Sequence, residues 1–180
     1  MIKYIRFAAA PTLKALGAFF ALRGEHRKWI YFAIFAIIVI FGDFALGDNS
    51  ANPKYPSTKI LNFLLYINFP FLSVAVLASI WMVGDYQLPD WGSSFMIARE
   101  NTNIYDLVGY VIVMGLLVAS AGTNVGHELT HRKKNKFDMF LGNWFLAFTW
   151  DCAFAIEHVY GHHKLSLIHI SEPTRPRLIS

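Results

Sequence analysis

The chain has 180 residues, of which 55% are hydrophobic, 16% aromatic and 16% charged. Soluble domains carry about a quarter charged residues, so a chain this apolar, with its apolar residues gathered into long runs, argues against a soluble domain and for membrane spans. One cysteine, Cys152, excludes an intrachain disulfide and a cysteine-built metal cluster. The net charge of +4, with no interleaving of basic and aromatic residues, reads as loop orientation in a membrane and points to no nucleic-acid partner.

In chain order, the N-terminus has no small-residue cleavage pattern after a short apolar core, so no cleaved signal peptide is expected. Residues 7–22 form a short apolar run interrupted by Pro11 and Lys14. Longer runs follow at 29–46, at 60–83 with Pro70 inside, and at 107–124. At 1.5 Å per residue each of these three is long enough for a hydrocarbon core of about 30 Å. Helix is the expected conformation, because an open strand leaves backbone groups unsatisfied in lipid. Pro70 is expected as a kink whose freed carbonyl finds another partner.

Loop charge orients the runs. Segment 84–105 carries Asp85, Asp90 and Glu100 against Arg99, whereas the stretch after the third long run carries Arg132, Lys133, Lys134 and Lys136. The positive-inside rule places the basic stretch in the cytoplasm and the acidic one outside. Loop 48–59 then lies inside, which favours counting 7–22 as a short first span, although Arg23, Arg27 and Lys28 would then lie outside, against the same rule. Residues 137–156 are semi-apolar and include Asn143, Trp144, Trp150 and Asp151. They join two histidine groups, so a hairpin or interfacial segment returning to one side is expected. The fold class is therefore all-α, an integral membrane multi-helix bundle with histidine groups at the cytoplasmic ends of its helices. Asp43 and Asp151 are candidates for inward-facing polar roles or for helix ends near the headgroups.

Five of the seven histidines sit in two groups, His127-Glu128-Leu129-Thr130-His131 and Glu157-His158-Val159-Tyr160-Gly161-His162-His163. His127 and His131 are four apart, as are His158 and His162. On an α-helix that spacing puts both rings on one face, about 6 Å apart along the axis, where they can converge on one ion. His163 is turned by about 100° from His162 and reaches a second ion or the other side of the first. Imidazole suits iron, copper, zinc and nickel. Five candidate ligands exceed the needs of one tetrahedral zinc, which argues for a binuclear centre. Glu128 and Glu157 flank histidines and either orient the rings or ligate directly, as catalytic candidates. His26 is isolated among charges and reads as solvated or interfacial.

The boxes HELTHR and EHVYGHH, about two dozen residues apart, resemble the first two histidine boxes of the membrane-bound alkane monooxygenases, within the wider fatty-acid desaturase and hydroxylase superfamily. The approach Thr123-Asn124-Val125-Gly126 and the upstream stretch GDFALGDNSANP are also similar to that family. The resemblance implies a six-helix membrane fold in the bacterial inner membrane with a di-iron site on the cytoplasmic side. His127, His131, His158, His162 and His163 would be metal ligands. It implies O2-dependent hydroxylation of a terminal methyl group of an alkane, an apolar substrate held by apolar walls. Electrons would come from a rubredoxin-type or ferredoxin-type donor. A third histidine box, expected by the resemblance after Lys164, is absent, so the chain is expected to be an inactive N-terminal part. Rival readings are a fatty-acid or carotenoid desaturase or hydroxylase, an intramembrane zinc protease using HELTH with Glu128 as base, and a membrane metal carrier. The protease reading leaves the second box unexplained. Carrier sites usually lie near the bilayer midplane, whereas these boxes sit beside a basic loop.

Residues 165–180 read LSLIHISEPTRPRLIS, and their start matches the translation of a transposase sequencing adapter. The natural oxygenase sequence is therefore expected over 1–164, with 165–180 a non-native tail in which His169 has no role.

Overall fold

The computed structural model describes residues 2–46, 57–84 and 93–162. The family-like stretch beyond Leu46, the acidic positions Asp85 and Asp90, His163 and the tail 165–180 lie outside the described residues. The described chain is helical, without strands. Its helices are α1 Ile2–Arg23, α2 Arg27–Leu46, α3 Thr58–Tyr66, α4 Asn68–Val83, α5 Ser93–Glu100, α6 Ile104–Leu117, α7 Asn124–Thr130 and α8 Lys136–Ala147. Two π-helical segments, Val118–Thr123 and Ala155–His162, complete them. By contact the chain divides into two compact units, Met1–Ala121 and Gly122–Ser180.

Among the described residues, two stretches are long and apolar enough to cross a membrane, Thr58–Val83 with 26 residues and Ile104–Thr130 with 27. At 1.5 Å per residue each reaches about 40 Å, more than the hydrocarbon thickness. Large apolar side chains lie exposed along the helices, among them Ile40, Phe41, Leu77 and Val111. Such surfaces suit lipid rather than water. The molecule is an all-α membrane protein.

In the first unit, α1 packs on α4 and on its other neighbours, and buries Pro11, Lys14, Gly17, Ala18 and Ala21 at helical spacing. Its small residues let the helix axes approach closely, the usual device where lipid gives no hydrophobic drive between helices. A Cβ on Gly17 would lie 2.8 Å from Leu117 and 3.0 Å from Tyr31. Pro11 does not end α1, which runs unbroken from Ile2 to Arg23. The chain turns into α2 at Gly24 and Glu25, both with positive φ, 64° and 53°. Gly24 is needed twice over there, since a Cβ would also meet the Ala98 carbonyl at 2.8 Å. Asn103 and Asp106 cap the start of α6 reciprocally. Beside that cap, the buried Lys28 ammonium lies 4.2 Å over the Tyr110 ring.

The expected run 60–83 is interrupted at a single residue, Ile67, which keeps αR backbone angles. α3 ends before Ile67 and α4 begins at Asn68, with Pro70 in its first turn, where a missing N–H costs least. The Asn68 side-chain amide donates to the Leu64 carbonyl at 2.6 Å and the Leu65 carbonyl at 3.0 Å. Two carbonyls at the break are thereby satisfied inside an apolar run.

Candidate metal centre

The second unit begins with two glycines packed against each other. A Cβ on Gly126 of α7 would lie 3.1 Å from the Gly142 carbonyl and 2.9 Å from Leu146. A Cβ on Gly142 of α8 would lie 3.1 Å from the Gly126 carbonyl and 2.9 Å from Thr130. This close crossing is sealed by Leu129, Leu141, Phe145 and Leu146, all buried. With Gly126, Leu129 and Thr130 turned to α8, His127 and His131 occupy other positions around α7, half-buried and exposed respectively.

The turn between α7 and α8 is fixed by charge and capping. Asn135 caps α8, its side chain accepting from Phe137 N at 3.0 Å and Asp138 N at 3.3 Å. Arg132 donates to Glu128 at 3.1 Å and to the buried Asp138 at 3.4 Å. The carboxylate of Glu128 is therefore engaged with Arg132.

α8 has 12 residues, about 18 Å, too short to cross a bilayer. Turns at 148–150 follow, where Trp150 takes a φ of 62° and Asp151 N donates to the Leu146 carbonyl at 3.2 Å. The chain then returns through Ala155–His162. The chain thus doubles back over 137–156 and returns to the first histidine box. Asp151 lies exposed at this turn; the Asp43 side chain is outside the described residues.

The return brings His158 onto the first box. Ring centroids of His127 and His131 are 4.6 Å apart, of His127 and His158 4.6 Å, and of His131 and His158 5.5 Å. The Nε2 atoms of His127 and His131 are 2.6 Å apart. One ligand nitrogen from each of His127, His131 and His158 lies within 4.8 Å of the others. Two nitrogens each about 2.1 Å from one ion, at right angles, would be about 3 Å apart. The first pair is within a few tenths of an ångström of that spacing. Three neutral nitrogen donors suit a first-row transition metal and leave coordination positions open.

Of the other expected site residues, Glu128 and Glu157 are exposed, and neither belongs to the cluster of donors among the described residues. The backbone of His162 belongs to the second π-helical segment; its side chain and all of His163 are outside the described residues. The expectation of α-helical spacing in the second box changes, because Ala155–His162 winds as a π-helix with i→i+5 hydrogen bonds.

Phe154 escaped the sequence reading. Its ring stacks on His158, with centroids 4.7 Å apart and planes at 23°, and meets His127 edge-on at 5.4 Å. The available signal was its position four residues before His158, a spacing that puts a large apolar ring beside a ligand wherever the chain is helical.

An all-α membrane protein whose two histidine boxes converge is the class defined by this fold and cluster. The chain is 26% identical over 150 residues to alkane 1-monooxygenase 1 of Pseudomonas aeruginosa, covering 79% of this chain and 36% of that protein. It is 30% identical over 128 residues to alkane 1-monooxygenase of Acinetobacter baylyi, covering 71% and 29%. It is likewise 30% identical over 135 residues to alkane 1-monooxygenase of Ectopseudomonas oleovorans, covering 74% and 30%. These similarities support the alkane monooxygenase family for this chain, which spans about a third of the length of these curated relatives. No family model and no solved structure matches it.

Proposed function

We propose that residues 1–164 are the N-terminal part of a membrane-bound di-iron oxygenase that hydroxylates the terminal methyl group of medium or long-chain alkanes to primary alcohols. The observation that carries the reading is the meeting of His127, His131 and His158 from separate boxes within 4.8 Å. The similarity to alkane 1-monooxygenases supports the substrate class.

On this reading His127, His131 and His158 hold iron, with His162, His163 and ligands from outside this chain completing a two-iron centre. When bound, the iron pair supplies the activation of O2. The residues of this chain supply the setting. Imidazoles bind as neutral donors without adding charge to an apolar site. Phe154 covers one face of the His158 ring and keeps water from it. Glu157 is the candidate carboxylate for orienting a ligand ring or binding iron. Glu128, paired with Arg132, orients the first box. Apolar helix walls hold a substrate that offers no polar handle, so selectivity comes from shape and depth. The basic segment after α7 supports a site on the cytoplasmic side of the bacterial inner membrane, within reach of a rubredoxin-type or ferredoxin-type electron donor. Residues 165–180 are adapter-derived.

The test begins with recovery of the native coding sequence beyond Lys164 and purification of the complete protein in detergent. Two irons per chain and 1-octanol from octane, with O2 and a reduced rubredoxin, are expected. One zinc per chain with no hydroxylation would contradict the reading, and a double bond introduced into an acyl chain would replace it with a desaturase.

A further inference from the structure

Lys133 is tied at both ends to the two histidine boxes. Its backbone N–H donates to the His131 carbonyl at 3.0 Å. Its ammonium donates to the Val159 carbonyl at 3.0 Å, 26 residues along the chain. Val159 follows His158 directly and is fully buried. From a loop position two residues after His131, Lys133 thus pins the π-helical segment Ala155–His162, which carries His158, by a side-chain hydrogen bond to its backbone.

We infer that Lys133 is a positioning residue for the metal centre, acting as a strut that holds His158 against His127 and His131. The inference rests on the metal-site reading above and goes beyond it in giving the site a support from outside the histidines. Its sign separates it from simple electrostatics. An ammonium close to a cation site repels the cation, so charge alone predicts that removing Lys133 tightens metal binding. A strut predicts the reverse, because losing an outer partner of a ligand typically weakens metal binding by about 10- to 100-fold.

The test titrates Co2+ into the full chain in detergent and follows both affinity and the visible ligand-field bands. Lys133→Met is expected to weaken Co2+ binding about 10-fold or more and to shift the bands. Lys133→Arg, which keeps a long cationic donor, is expected to restore most of the affinity. Lys134→Met removes the same charge from the neighbouring exposed position and is expected to leave binding unchanged or slightly tighter. Should Lys133→Met fail to fold, Lys133→Gln, too short to span the gap, carries the comparison and is expected to bind more weakly than Lys133→Arg. Wild-type affinity and bands in Lys133→Met or Lys133→Gln, with binding still lost in His131→Ala, would overturn the strut and leave the metal site standing. Wild-type binding no tighter than that of His131→Ala would overturn both.

Discussion

The ring of Phe154 lies almost flat on that of His158, with centroids 4.7 Å apart and planes at 23°. The same ring meets His127 edge-on, so one apolar side chain touches a histidine from each box. Such a contact fixes the plane of an imidazole that otherwise turns about its side-chain torsions. Phe154→Leu keeps an apolar side chain but loses the flat face. It should lower metal affinity by roughly 10-fold, in the range of other supporting-residue losses. Phe154→Tyr should stay close to wild type. Competition against a chelator of known affinity reads both. Equal affinity in all three proteins would remove Phe154 from the site.

Gly142 and Gly126 set the approach of α8 to α7. Alanine at position 142 gains about 1 kcal/mol of helix propensity but presses on the Gly126 carbonyl and Thr130. The larger Gly142→Val cannot relieve that contact, and overpacking of this kind costs about 1–3 kcal/mol. Thermal unfolding in detergent should show Gly142→Val clearly destabilised. Because α7 and its C-cap carry His127 and His131, metal affinity should fall with it. A valine variant as stable as wild type would mean that the two helices do not cross this closely.

Much of this architecture was legible in the residues themselves. The long apolar runs mark the helices because only apolar residues tolerate lipid contact, and paired histidines four apart stand out in any helix. The break at Ile67 was half legible. Pro70 announced a disturbance, but the side chain of Asn68 moved the boundary upstream by satisfying the Leu64 and Leu65 carbonyls. The π winding of the second box was not legible, since one extra residue per turn leaves no compositional trace. Lys133 and Phe154 were hidden for another reason. A lysine in a basic loop looks like an orienting charge, and a phenylalanine in an apolar stretch looks like packing, until the chain returns and brings 154–159 beside 127–133.

Lys28 gives the account a pH dependence. It sits just ahead of the apolar run 29–46, buried over the Tyr110 ring. Burial lowers its pKa from 10.5 to about 8, against the opposing pull of Asp106 and Glu25. The unfolded chain therefore holds the proton more tightly than the folded one between these values. Stability should rise with pH across that window, and the cost of the buried charge is fully present below about pH 8. Thermal midpoints measured in detergent from pH 7 to about 10 should climb in wild type relative to Lys28→Met. Parallel curves for the two proteins would show that this ammonium is solvated.

If two sequence-distant boxes bind one metal centre, each is needed for it, and iron binding by single-histidine variants reads this. Fe2+ is loaded anaerobically into the full chain in detergent and quantified after desalting. His127→Ala and His158→Ala should each lose most of the bound iron, and the double variant should lose little more than either, because each box is useless without the other. Full iron retention in His158→Ala, with loss confined to His127→Ala, would mean that the second box takes no part and would contradict the account.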